Sequence, residues 1–357
     1  MNSQLLRPLT VGTLVLPNRI VMAPMTRARA GTTHIPNTLM AEYYSQRASS
    51  GLILTECTMV AADGCAFTGE GGIFDDATMH GWKQVVDAVH AAGGRIAMQI
   101  WHAGRAAHSA LNQGTQPISS SNQAIRDCEI HTPIGKVPYE VPRALSTEEL
   151  PGIVELFRQA AERAKAAGFD GVQIHGAHGY LIDQFLRDGV NDRSDAYGGS
   201  TENRARLLLE VTDAAISVFG AGLVSVRISP LVAFNDMADS NPKELVKYIA
   251  EQLSARNIAF LELRHEQHDL PDEIELAKIA RQHFHGVLML NGGFTQASGE
   301  EAIASGLADA ISYGKPLLAN PDLVARFAEN APLNAVDFNT LYGGGAHGYT
   351  DYPTLKS

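Results

Sequence analysis

The sequence has little cysteine, no long apolar run and a deficit of positive charge, and each shortage removes a class of protein. Its three cysteines, Cys57, Cys65 and Cys128, form no C-x-x-C pair. That argues against a disulfide framework and fits reduced thiols in the cytoplasm. Apolar runs stay below the roughly 18 residues that a membrane span needs. The opening M-N-S-Q-L-L-R-P lacks the charged and apolar regions of an export signal. We therefore expect no membrane partner and no secretion. Lysine and arginine number 28 against 39 aspartates and glutamates, a formal net charge of -11. A chain so acidic has no broad basic face for phosphate backbones, which excludes nucleic acid as the main partner. No G-x-G-x-x-G opens a helix after a strand-like run, so a dinucleotide held on a Rossmann fingerprint is not expected either. What is left is a cytoplasmic, small-molecule protein, monomeric or a weak homo-oligomer.

What the sequence does contain is a beat. Short apolar runs at 19–24, 52–56, 95–100 and 171–174, then at 223–228, 258–263, 287–291 and 310–314, are each followed by a segment of helical spacing. Those segments lie near 39–49, 79–92, 148–167, 201–218, 242–255, 272–283, 296–304 and 321–328. Eight strands, each trailed by a helix, predict a closed (β/α)8 TIM barrel, an α/β fold spanning 1–357 as one domain. In the fourth trailing segment Leu207, Val211, Ala214, Ala215 and Val218 share a face, and Ser200 or Thr201 can cap it. Ser146 and Glu149 have capping-box spacing, with Pro151 near the first turn. Outside the beat, 9–16 reads as a hairpin for the barrel floor. Residues 101–144, rich in Ser, Gln, Asn and Pro, read as a long excursion after the third strand that roofs the active site.

In such a barrel the C-terminal strand ends share one mouth, so polar residues there meet however far apart they lie in sequence. The expected set is Thr26, Glu56, Gln99 with Trp101 and His102, then His175, His178 and Tyr180, followed by Arg227, Glu262, Arg264, Asn291-Gly292-Gly293 and Gly314-Lys315. Glycine turns after the last two strands, with Lys315 beside them, suit the phosphate of a cofactor, although ordinary tight turns would look the same. Arg227 lies inside an apolar strand and needs an anion, either a cofactor or an internal partner such as Glu56. The stretch H-G-A-H-G-Y at 175–180 admits three chemistries: a metal pair, a general base, or two N–H donors aimed at an oxygen that becomes negative. No H-x-H follows the first strand, which weakens the metal reading, and no metal is expected.

Several blocks resemble the Old Yellow Enzyme family of FMN-dependent ene-reductases: M-A-P-M-T-R-A-R-A at 22–30, Q-I-W-H-A-G-R at 99–105, H-G-A-H-G-Y-L-I-D-Q-F-L at 175–186 and N-D-R-S-D-A-Y-G-G-S-T-E-N-R-A-R at 191–206. A-E-Y-Y-S-Q-R-A at 41–48, A-N-P-D-L at 319–323 and Y-G-G-G-A-H-G-Y-T-D-Y-P at 342–353 extend it to the C-terminus. The pattern is most similar to the bacterial branch that includes pentaerythritol tetranitrate reductase and N-ethylmaleimide reductase, which carries the same His-x-x-His.

The resemblance implies non-covalent FMN, with NADPH or NADH as reductant and a small electrophilic alkene or nitro compound as acceptor. Pro24, Met25, Thr26 and Cys57 would flank the flavin, with Thr26 near O4. Gln99 would bind the pyrimidine edge and Arg227 the N1 and O2 side. Gly292, Gly293, Gly314 and Lys315 would hold the phosphate. His175 and His178 would grip the acceptor oxygen while flavin N5 delivers hydride and Tyr180 a proton, with the small Gly and Ala neighbours admitting flavin and substrate. Trp101, Cys65, Phe67 and Tyr342 would shape the pocket. Two departures stand out: Lys315 replaces the usual Arg, and 63–73 lacks the family's pocket tyrosine. The loop L-R-H-E-Q-H-D-L after the sixth strand is also short. Two other readings compete with this one: a metal-dependent barrel hydrolase built on His175 and His178, and a flavin-binding protein without turnover.

Overall fold

The computed structural model describes residues 3–356. Eight parallel strands close on themselves: β1 (Ile20–Met22), β2 (Leu52–Leu54), β3 (Ile96–Trp101), β4 (Gly171–Gly176), β5 (Val224–Ile228), β6 (Phe260–Arg264), β7 (Val287–Asn291) and β8 (Ala310–Tyr313). Closure is completed by β8 pairing with β1 and by β3 pairing with β4. All eight match the expected runs to within about two residues at most ends. The apolar β-branched content of these runs buries on both faces, as parallel strands between a core and a ring of helices must.

The expected helices are present as Thr38–Ser45, Asp76–Ala91, Leu150–Ala166, Thr201–Phe219, Pro242–Ala255, Pro271–His283, Gln296–Ala304 and Leu323–Glu329. Two short ones, Leu181–Leu186 and Lys315–Ala319, follow β4 and β8 directly. Ser200 caps the long helix through Asn203 N–H, at 3.3 Å. Its buried residues include Ala205, Leu207, Leu208, Val211, Thr212 and Ala215, so Leu207, Val211 and Ala215 are buried as expected while Ala214 and Val218 stand at the edge. The Ser146–Glu149 box forms on a 3-10 turn, and Pro151 falls in the first turn of Leu150–Ala166.

Leu9–Val11 and Leu14–Leu16 pair as an antiparallel hairpin. Val11 and Leu16 pack with Leu52 and Phe260, which open their strands, and with Val21 and Met289 at mid-strand, and so plug the floor. Chemistry is left to the other end. There the 101–144 excursion carries a second hairpin, Glu129–Thr132 with Gly135–Pro138. Among the described residues no helix is long and apolar enough to cross a membrane.

Candidate functional site

Six consecutive strands contribute one buried polar side chain each to a network across the barrel interior. Gln99 on β3 donates to Gln173 on β4 at 2.7 Å, and Gln173 donates to Glu262 on β6 at 2.8 Å. Arg227 on β5 donates to Asn291 on β7 at 2.9 Å and lies 3.4 Å from Glu262. Asn291 donates to the Ser312 carbonyl, and the Ser312 hydroxyl on β8 donates to Glu262 at 2.5 Å. Arg227 therefore pairs with Glu262 and not with Glu56. Glu56 instead accepts the backbone N–H groups of Arg27 and Ala28 and the Tyr44 hydroxyl. Gln173 was not singled out from the sequence, although it carries the same signal as Gln99, a polar residue in an apolar run.

The turn after β4 explains the placing of H-G-A-H-G-Y. His178 and Gly179 are both left-handed, with φ of 57° and 72°. The Ser229 hydroxyl accepts from His178 N–H at 2.7 Å, and Asn235 donates to the His178 carbonyl at 2.9 Å. This doubles the chain back so that the two imidazole rings lie 5.6 Å apart, with Tyr180 5.3 Å from His175. Tyr180 stands at the start of Leu181–Leu186 and meets Trp101 edge-on at 4.3 Å. A Cβ on Gly179 would lie 2.7 Å from Asn235 and Met237, and one on Gly176 3.2 Å from the Arg227 carbonyl. The small residues are thus demanded by neighbouring protein, a different reason from the close approach of ligands expected above.

Electrostatics follow from burial. Desolvation first, and the Arg227 charge second, push both imidazoles well below the ordinary histidine range, so both are neutral. Desolvation raises the Tyr180 phenol well above its usual value, which keeps its proton in place. His175 Nδ1, Trp101 Nε1 and Arg227 Nε are buried without a hydrogen-bond partner. Thr26 and Cys57 contact each other at 3.0 Å, and burial holds the Cys57 thiol protonated. Among the described residues no group of three His, Cys, Asp or Glu is arranged to hold a metal.

At the neighbouring strand ends, Gly292 and Gly293 are left-handed after β7, with φ of 125° and 73°. Gly314 follows β8, and a Cβ there would lie 3.4 Å from the Met25 sulfur, which brings the Pro24-Met25-Thr26 segment against this turn. Lys315 is exposed, its Nζ 5.2 Å from the Phe338 ring centre. Above the mouth is a cavity of about 1080 Å³ whose wall includes Phe67, Ile125, Tyr139, Tyr180, Phe234 and Tyr342. Phe67 stacks between Tyr342 at 5.8 Å and Trp101 at 6.4 Å. Of the four expected pocket residues, Phe67 and Tyr342 are on this wall. Trp101 and Cys65 are buried behind it, and the Cys65 thiol donates to the Phe67 carbonyl.

The most specific sequence block, 191–206, touches none of this. Asn191 donates to the Phe185 and Tyr197 carbonyls, Arg204 to those of Leu186 and Gly199, and Arg206 to that of Ala196. It builds the bend between the helices Leu181–Leu186 and Thr201–Phe219. The bend in turn fixes the helix that Tyr180 begins.

Comparison with known proteins agrees with this geometry. A family model described as the NADH:flavin oxidoreductase / NADH oxidase family matches residues 4–334. The chain is 46% identical over 356 residues to a probable flavin mononucleotide-dependent alkene reductase of Leishmania infantum, covering 98% of this chain and 97% of that protein. It is 45% identical to 12-oxophytodienoate reductase 7 of Oryza sativa subsp. japonica, covering 95% and 92%. The structure of morphinone reductase in complex with tetrahydroNAD superposes with a TM-score of 0.95 at 43% identity, over 99% of this chain and 98% of that one. The old yellow enzyme homologue from Zymomonas mobilis does so with a TM-score of 0.95 at 43% identity, over 98% and 99%. The chain belongs to the NADH:flavin oxidoreductase / NADH oxidase family, the FMN-dependent flavoenzymes of Old Yellow Enzyme type.

Proposed function

We propose that this chain is a single-domain cytosolic ene-reductase that uses NADPH or NADH to reduce activated C=C bonds of α,β-unsaturated carbonyl or nitro compounds, with nitrate esters as a further acceptor class. The observation that carries this reading is the pair of neutral imidazoles beside a protonated phenol on the β4 turn. Three free thiols support the reducing setting.

The residues fit FMN. The buried His175 Nδ1, with no hydrogen-bond partner, calls for an outside one, Arg227 keeps an Nε that only ion-pairs with Glu262, and left-handed Gly292 and Gly293 expose backbone to an approaching anion. Pro24, Met25, Thr26, Cys57, Gln99 and Arg227 would hold the ring system, and Gly292, Gly293, Gly314 and Lys315 the phosphate. Bound FMN supplies the two-electron exchange between nicotinamide and acceptor.

The protein's part is electrostatic and protic. His175 and His178 each donate an N–H to the acceptor oxygen, and these bonds strengthen as that oxygen gains negative charge, so they favour the transition state over the ground state. Neutral donors do this without a standing buried charge. Tyr180 gives its proton to the α-carbon. Trp101 orients Tyr180, and Phe67 with Tyr342 bounds the acceptor's far side. In anaerobic rapid mixing, Tyr180→Phe should slow the acceptor step while NADPH-driven bleaching of the flavin stays at the wild-type rate. Equal losses in both steps would contradict the assignment.

A further inference from the structure

Arg264 ends β6, paired in the ladder with Asn291 of β7. Its Nη1 is buried and has no hydrogen-bond partner, and among the described residues no carboxylate lies within salt-bridge distance of its guanidinium. Glu262, two residues earlier on the same strand, is already occupied, one oxygen by Ser312 and Arg227 and the other by Gln173. Glu273, on the following helix, accepts Glu266 N–H and faces His265. Two guanidiniums thus stand at one side of the mouth, and the carboxylates around Arg264, those of Glu266, Glu273 and Glu262, leave its Nη1 without a hydrogen bond. Arg264 is half-buried, but a buried guanidinium N–H without an acceptor is costly, so Nη1 calls for one from outside the chain.

The backbone places the end of β6 beside the glycine turn after β7. His265 N–H donates to the Asn291 carbonyl at 2.8 Å and His268 N–H to the Gly292 carbonyl at 2.9 Å. A Cβ on Gly292 would come 2.2 Å from the His265 carbonyl, so segment 264–268 is clasped to the glycine turn. Arg264 is held beside that turn on one flank, as Lys315 is on the other. Lys315 offers a single exposed ammonium, drawn toward the Phe338 ring, where a guanidinium would offer a planar fork.

We propose that Arg264 is a ligand of the cofactor's phosphate group and supplies the bidentate contact that Lys315 cannot. The proposal rests on the FMN reading above and goes beyond the glycine turns and Lys315 expected to hold the phosphate. The short loop after β6 is then part of the cofactor site and not only a rim of the acceptor pocket.

Titrating deflavinated full-length protein with FMN and with riboflavin, followed by flavin fluorescence, tests this. Arg264→Met should weaken FMN on the order of 10- to 100-fold and leave riboflavin unchanged, with Arg264→Lys intermediate. Equal weakening of both flavins would overturn the proposal as a structural effect. Unchanged FMN affinity with a raised acceptor KM would overturn it in favour of an acceptor contact. The wild-type titration is the separate control, since a chain that binds no FMN refutes the cofactor reading itself. Unchanged melting temperature of the deflavinated variants excludes misfolding as the cause.

Discussion

At the residue scale, the proposed function turns on keeping protons where they are. The imidazoles of His175 and His178 are neutral because burial and the Arg227 charge oppose protonation, and the Tyr180 phenol is intact because burial opposes its loss. His178→Ala should lower kcat/KM for an enone on the order of 10²-fold, the usual cost of one donor to a developing oxyanion. His178→Asn, which keeps an N–H, should recover part of it. If the Asn variant is as slow as the Ala variant, donation is not what His178 contributes. These residues were legible because two histidines and a tyrosine at a strand end are chemically conspicuous. Arg227 was conspicuous too, but its partner was not: Glu56 and Glu262 both lie in or just after barrel strands, and only the register of β5 against β6 puts Glu262 opposite it.

At the scale of elements, the long amphipathic segments and the eight strands were readable because periodicity and length together separate helix from strand. The left-handed turn at His178 was not. It depends on Ser229 and Asn235 from the β5 loop, contacts with no local signature. The 191–206 block shows the converse. As a sequence pattern it is the strongest in the chain, yet its side chains bind loop carbonyls and not ligands. Arg204→Leu would leave the Leu186 and Gly199 carbonyls without their donor. It should cost about 1–3 kcal/mol for each unsatisfied group, measured by chemical denaturation, while the spectrum of bound flavin stays unchanged. A shifted flavin spectrum with unchanged stability would mean that the block acts on the site directly.

At the scale of the whole molecule, closure of the barrel brings strand ends from Thr26 to Lys315 to one mouth, and the floor hairpin and the excursion make the two ends unlike. The C-terminal segment was harder to foresee. It is tied down by Arg27, which donates to the Leu341 and Gly348 carbonyls, and by Tyr349 stacked on Tyr43 at 4.0 Å. Arginines that bind carbonyls leave no charge pattern to read. Through them Tyr342 reaches the cavity.

The buried titratable groups also set how stability responds to pH. His175 and His178 sit below their unfolded value, so the unfolded chain binds more protons as pH drops under about 6.5, and stability is lost on acidification. Glu70 behaves oppositely. Burial raises its carboxyl to about 8, so between roughly pH 4 and that value the folded chain keeps a proton that the unfolded chain has released. Stability therefore falls as pH rises through this window. Glu70→Gln should flatten the fall in melting temperature between about pH 4 and 8, and an unchanged slope there would show that another group sets it.

The central claim is that the constellation at this mouth binds FMN and passes electrons from nicotinamide to an activated alkene. Its most direct test is the visible spectrum of the purified full-length protein, recorded anaerobically before NADPH, after it, and again after 2-cyclohexenone. The account predicts flavin bands that bleach with NADPH and return with the enone. A protein that shows no flavin bands and takes up no added FMN, or one whose bleached bands do not return with the enone or with nitroalkene acceptors, would contradict it.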